Sequence, residues 1–152
     1  MKIREATKDD SKWILHHRIN MFIDMDESSD YIRETKVLTE SYLAGDWYRD
    51  YRYFLVEDAN QVIGGCGISQ FRVPPQKSQK RGVYAYLTNM FVEHNHRNKG
   101  VGRALLRHVI KLCTDEGIGL LLLHASDVGL PLYESEGFKS SQKLMHLRTM
   151  DY

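Results

Sequence analysis

Cysteine, proline and surplus charge are all scarce in this chain. Its 152 residues include two cysteines and three prolines, and 21 basic side chains against 20 acidic ones give a formal net charge of +1. Cys66 and Cys113 fall in different expected elements and form no close pair. That excludes a disulfide framework and predicts two reduced, buried thiols. Balanced charge leaves no basic excess for tracking phosphates along a nucleic acid, so no such partner is expected. No run of 18 uncharged apolar residues occurs, and MKIREATKDD holds no apolar signal core, which predicts no membrane partner and a cytoplasmic location. The seven histidines offer no HExxH and no pair at i, i+4. Neither His16-His17 nor His94-x-His96 therefore marks a metal site, and no metal is expected.

What remains is a globular composition, 42% apolar and 27% charged, in a length that suits a single domain spanning residues 1–152. Lys2 to Ala6 reads as a first strand. Thr7 and Asp10 are spaced like a capping box before a helix expected to pack by Leu15, Ile19 and Phe22. After an acidic run a second helix begins near Tyr31 with Asp30 as cap, carries Ile32, Leu38 and Tyr42 as its apolar positions, and stops at Gly45. Tyr53 to Glu57 and Val62 to Phe71 flank Asp58, Ala59, Asn60 and Gln61 as a hairpin, the second arm weakened by Gly64, Gly65 and Gly67. VPPQKSQKRG, residues 73 to 82, is an exposed loop.

The stretch YLTNMFVEHNHRNKGVGRALLRH, Tyr86 to His108, organises the rest. It ends a strand from Val83 to Val92, makes a polar connection, and opens a helix at Gly100 that runs to Glu116 with Leu105, Val109 and Leu112 inward and Gly117 as C-cap. The first amides of a helix lack internal partners and carry the positive end of its dipole, so an anion is stabilised there; Gly100 and Gly102 let it approach the backbone. The pattern is neither GxGxxG nor a P-loop. GLLLLHA, residues 119 to 125, reads as a strand buried on both faces and parallel to the previous one, which makes a right-handed βαβ crossover. Ser126 or Asp127 caps a short helix carrying Pro131, Leu132 and Tyr133 and ended by Gly137. Phe138 to Lys139 and Leu144 to Thr149 read as closing strands.

Arg97-x-x-Gly100-x-Gly102, followed one strand later by Leu132-Tyr133-Glu134-Ser135-Glu136-Gly137-Phe138, resembles the paired motifs of the GNAT superfamily of acetyl-CoA-dependent N-acetyltransferases. The resemblance covers nearly the whole order of elements. It implies an α/β fold, a mixed sheet of about six to seven strands flanked by helices around a central βαβ coenzyme-binding unit. It also implies direct transfer of an acetyl group from acetyl-CoA to a primary amine of a small molecule or peptide, by a monomer or homodimer. The alternative is a catalytically inactive CoA-binding regulatory domain.

On that resemblance, the backbone of Met90, Phe91 and Val92 would pair with the pantetheine arm. The amides of Arg97, Asn98, Lys99, Gly100, Val101, Gly102 and Arg103 would hold the pyrophosphate, and Ser126 stands where the family often has Asn. Tyr133 matches the usual general acid, a phenol that keeps its proton at neutral pH. Several family members carry a glutamate base at the position of Tyr86. Here the base would be a water relayed by Tyr84, Tyr86 or Thr88, or a carboxylate such as Glu93, Asp24 or Glu27. Asp24, Asp26 and Glu27 could equally hold a cationic amine or be a solvated helix end. Trp47, Tyr48 and Tyr51 read first as core, and second as walls of an acceptor pocket.

Overall fold

In the computed structural model, which describes residues 1–77, 79–141 and 145–150, strand β1 (Lys2–Glu5) leads into helices α1 (Ser11–Asp24) and α2 (Ser29–Ala44). A meander of β2 (Tyr51–Asp58), β3 (Gln61–Arg72) and β4 (Val83–Val92) follows. Helix α3 (Val101–Asp115) then crosses to β5 (Leu120–Leu123), and a short α4 (Leu130–Ser135) comes after it. The sheet order is β1-β2-β3-β4-β5, antiparallel except where β4 and β5 run parallel, as the intervening helix requires.

Period-two alternation divides the sheet between two cores. Tyr51, Tyr53 and Leu55 of β2 meet Ile14 of α1, Leu43 of α2 and Trp47, whereas Phe54 and Val56 turn to the opposite face and α3. There α3 buries Val101, Leu105, Val109 and Cys113, each four residues after the last, with Leu106 beside them. At roughly 1.5–3 kcal/mol for each fully buried Leu or Val side chain, this face is the main source of stability. Left-handed Gly100 (φ 83°) and Gly117 (φ 67°) stand at the two ends of α3.

Several local expectations hold. Asp10 accepts from the Thr7 amide at 2.8 Å, and Arg4 grips the same carboxylate through two nitrogens, which holds it down to about pKa 2. Ala59 (φ 45°) and Asn60 (φ 64°) give the hairpin the two left-handed residues its tight turn needs. Trp47 and Tyr51 are core as expected and both cysteines are buried and free, whereas Tyr48, expected in the core beside them, is exposed.

Other expectations are corrected. The described sheet has five strands rather than six to seven. Phe138, Lys139 and residues 145–149 pair with nothing in it, and Leu144 lies outside the described residues. Among the described residues β5 is therefore an edge, half-buried instead of enclosed on both faces; Leu121 and Leu123 pack on the α3 core while Leu120 stays exposed. Helix α1 buries Ile14 and His17, and the expected Leu15, Ile19 and Phe22 are half-buried. The sheet chooses that face, because the rings of Tyr53 and Phe91 stack on His17 with centroids 6.0 and 5.4 Å away. Helix α2 is capped by Ser28, whose Oγ accepts from the Tyr31 amide at 3.2 Å, and Asp30 sits inside the first turn instead. It buries Thr39 and Leu43 and leaves Leu38 and Tyr42 exposed.

Where β3 passes β4, Gly65 pairs with Phe91 and Gly67 with Thr88, so β4 carries one residue more than its partner. Asn89 (φ 54°) takes up the difference in a left-handed conformation. Its Nδ2 donates to the Tyr53 hydroxyl at 3.1 Å, that hydroxyl reaches the Asn89 carbonyl at 3.3 Å, and His17 Nδ1 lies 3.0 Å from it. One hydroxyl carries one proton, so the consistent network has Tyr53 donating to the carbonyl and accepting from Asn89 and from His17 Nδ1–H. Burial, with His16 adjacent, holds the His17 imidazole down to about pKa 3. Gly65 faces this cluster, and a Cβ there would lie 2.6 Å from the Tyr53 ring and 2.8 Å from the Phe54 carbonyl.

Gly65→Ala should accordingly overpack the cluster and cost roughly 1–3 kcal/mol, measured as a drop of several degrees in Tm; an unchanged Tm would mean the rings move aside freely. The His17 imidazole stays neutral in the folded protein, whereas an unfolded imidazole gains a proton below about pH 6.5. The unfolded state then holds more protons, so this residue's contribution to stability is lost as pH falls from about 6.5 toward 3. By NMR its ring should show no titration between about pH 8 and pH 5, and a midpoint inside that window would contradict the assignment.

Candidate active site

Strands β4 and β5 pair only from Tyr84 to Leu87 and from Leu120 to Leu123; beyond that β5 ends and Thr88 to Val92 run on beside β3 only, with their other edge uncovered by a strand among the described residues. A strip of β4 backbone consequently faces an opening. The Phe91 carbonyl points at β3, since a Cβ on Gly64 would lie 2.7 Å from it, and alternation turns the backbone groups of Met90 and Val92 the other way. Arg97 Nε donates to the Val92 carbonyl at 2.9 Å, which leaves the Val92 N–H and Met90 facing the opening. Of the three residues expected there, Phe91 has its backbone on β3 and its ring between His17 and the Arg97 guanidinium.

The turn after β4 runs through His94–His96 to Asn98 (φ 60°), Lys99 and Gly100 (φ 83°). Left-handed residues alternating with one of ordinary hand turn successive N–H groups to one side. The first bond into α3 runs from the Ala104 N–H to the Gly100 carbonyl at 2.9 Å, and the amides of residues 98 to 103 take no acceptor from the described residues. They gather at the positive end of the α3 dipole. A Cβ at Gly100 would meet nothing within 4 Å, so the loop is open there. At Gly102 it would meet Leu132 at 3.4 Å, so that glycine serves the packing of α4. Val101 is buried, while Asn98, Lys99 and Arg103 are exposed.

Helix α4 is docked from both sides. Ser126 Oγ accepts the Gly129 N–H at 3.2 Å and its carbonyl accepts Gly129 and Leu130, so Ser126 shapes the turn while Gly129, not Ser126 or Asp127, is the helix cap. From α3, Arg103 reaches Ser135 at 3.3 Å and Arg107 reaches Glu136 at 2.7 Å. Tyr133 is thereby set into the α3 core, 8% exposed. Burial first, and the neighbouring Cys66 second, push its phenol up to about 12. Its hydroxyl makes no hydrogen bond to the described residues, so it is a protonated donor without an acceptor among them.

The acidic candidates divide. Asp24 takes Arg97 at 2.5 Å and His94 at 3.0 Å. Burial alone would raise its pKa, and these hydrogen bonds hold it below the ordinary carboxylate value instead. Glu93 takes His16 Nε2 at 2.8 Å, with His17 Nε2 3.9 Å away. Asp26 is exposed and Glu27 half-buried, and no described residue pairs with either. His94 is exposed and His96 half-buried.

On β4, Thr88 meets the Tyr51 hydroxyl at 3.0 Å, which places Tyr84, Tyr86 and Thr88 on the α1–α2 face. There the Tyr86 hydroxyl bonds to His124 Nδ1, a residue that sequence reasoning passes over. The one available signal is its position ending the GLLLLHA run, in line with the end of the β4–β5 pairing. Two shallow cavities, one lined by Arg49 and Gln70 and one by Leu15 and Leu43, lie away from this arrangement.

Comparison with known proteins bears on this geometry. Residues 49–140 match the family described as Acetyltransferase (GNAT) domain. N-acetyltransferase 8 from Homo sapiens is 27% identical over 107 residues, which is 68% of this chain and 44% of that protein, so the chain spans less than half its length. A GCN5-related N-acetyltransferase from Ralstonia eutropha JMP134 shares the fold with a TM-score of 0.86 at 22% identity, over 98% of this chain and 99% of that one. A predicted acetyltransferase from Clostridium acetobutylicum, crystallised with acetyl-CoA, superposes with a TM-score of 0.80 at 25% identity, over 97% and 95%. The matched region holds the open β4 edge, the amide row before α3 and Tyr133, and the chain belongs to the GNAT acetyltransferase family.

Proposed function

We propose that this chain binds acetyl-CoA along the free edge of β4 and transfers its acetyl group directly to a primary amine of a small molecule or peptide. The observation that carries the reading is the meeting, at one end of the sheet, of unpaired strand backbone with a row of unpartnered amides. An extended amide chain fits the first, which offers the ladder groups of Met90 and Val92. A pyrophosphate fits the second, where residues 98 to 103 and the α3 dipole supply donors with no side chain in the way at Gly100. Arg97 contributes differently, by tying the loop to Val92 and Asp24.

The coenzyme supplies an activated thioester, and the chain's own groups do the rest. A backbone donor of β4 at the thioester oxygen is worth roughly two to three powers of ten in rate. Ser126 accepts from Gly129 and retains its own hydroxyl proton to donate. Tyr133 donates a hydrogen bond to the sulfur as the C–S bond breaks. With its phenol at about 12, complete proton transfer to a thiolate whose ordinary value is near 8.5 is uphill by about 3–4 pKa units, so its contribution is the hydrogen bond to developing charge. Tyr86 in place of an acidic base supports, as a second reading, a CoA-binding regulatory domain without turnover. Thiol release from acetyl-CoA across an amine panel separates the two.

Gly100→Glu should abolish the thermal stabilisation that acetyl-CoA confers, since it sets a carboxylate where phosphate would lie; the left-handed strain costs about 1–2 kcal/mol and leaves the fold standing. An undiminished shift would remove the phosphate assignment. Tyr133→Phe should lower kcat by about tenfold or more with little change in coenzyme affinity, and a rate within twofold of the parent would reduce Tyr133 to a packing role.

A further inference from the structure

Resting on the amine-transfer reading, we infer that Tyr86 and His124 form a proton relay in which His124 is the terminal acceptor of the proton lost by the attacking amine. A tyrosine alone is a poor base at neutral pH, because phenolate is about three units uphill. Here the phenol does not need to ionise. Tyr86 on β4 and His124, the residue just after β5, meet on the α1–α2 face at the point where the two parallel strands separate: the pairing stops at Leu87 and Leu123. The ring centroids are 5.9 Å apart and the hydroxyl bonds to Nδ1.

Partial burial raises the Tyr86 pKa, so the phenol keeps its proton and donates to Nδ1, and the neutral imidazole carries its own proton on Nε2. The transfer is then balanced. An ammonium N–H bond breaks as its proton moves to Tyr86 Oη, while the phenol's proton moves to His124 Nδ1. The products are a neutral amine, a neutral phenol and an imidazolium. The amine lone pair forms the C–N bond as the C–S electrons leave with sulfur, the second N–H proton passes from the acylated nitrogen to that thiolate to give amide and thiol, and the imidazolium, on an exposed residue, releases the first proton to solvent. Tyr86 is the ionisable group in contact with His124. Tyr84 stands two residues back on the same face, and no carboxylate or cation pairs with His124 among the described residues.

The test is His124→Gln, which can still accept from Tyr86 but cannot take a proton. Acetyl-CoA should stabilise this variant as it does the parent, and kcat/KM at pH 7 should fall about a hundredfold. The loss should shrink as pH rises past the pKa of the amine, because a neutral amine needs no base. A loss of the same size at every pH, or no loss, overturns the relay while leaving acetyl transfer intact. Absence of thiol release by the parent with every amine tried overturns the acetyl-transfer reading and the relay with it. Independently of turnover, imidazole 15N shifts should show His124 protonated on Nε2 in the parent and a changed tautomer balance in Tyr86→Phe; protonation on Nδ1 in the parent overturns the relay.

Discussion

Inside the sheet, where water does not compete, the Tyr53 hydroxyl joins Asn89 to His17, and β4 keeps its extra residue because those bonds are made. A left-handed non-glycine residue costs about 1–2 kcal/mol, and buried hydrogen bonds of roughly 0.5–1.5 kcal/mol each offset it. The geometric effect exceeds the energetic one. Beyond Asn89 the strand has changed which residues face which side, so Phe91 goes to α1 while Met90 and Val92 pack on the α3 core. The glycines of β3 are the other half of the device, since Gly65 leaves room for the Tyr53 ring and Gly67 for that of Tyr51.

Charge at the same end of the molecule acts on the loop. Asp24 at the end of α1 binds Arg97 and His94, and Arg97 also closes on the Val92 carbonyl, so one carboxylate links α1, the turn before α3 and the tip of β4. Glu93 makes a parallel link to His16. The acidic end of α1 thus supports the loop through Asp24, and Asp26 and Glu27 stay outside that link.

The β4–α3–β5 unit was legible because its signals are local: an apolar run, glycines at both ends of a helix with a four-residue apolar stripe, then another apolar run. The hairpin at Ala59 and Asn60 was legible for the same reason. What escaped depends on contacts between distant segments. His17 reads as a polar residue beside the apolar face of α1 until Tyr53 and Phe91 are brought against it. Asn89 gives no sign of its left-handed backbone, since that follows from the count of residues between Gly65 and Gly67 across the ladder. His124 meets Tyr86 only through the parallel register of β4 and β5. The end of the chain read as closing strands, yet Met145 and Leu147 are exposed and pair with no described strand.

The amide row from residue 98 to 103 is made of main chain, and its shape is set by the backbone hand of Asn98 and Gly100. Most side chains along it can therefore vary without changing what it offers a ligand. Such a site is mutationally quiet: drift at Lys99 or Arg103 alters the periphery, and only a residue that refuses the left-handed conformation reaches the centre. Its vocabulary is torsion angles, so two chains with few identities can hold the same row of amides.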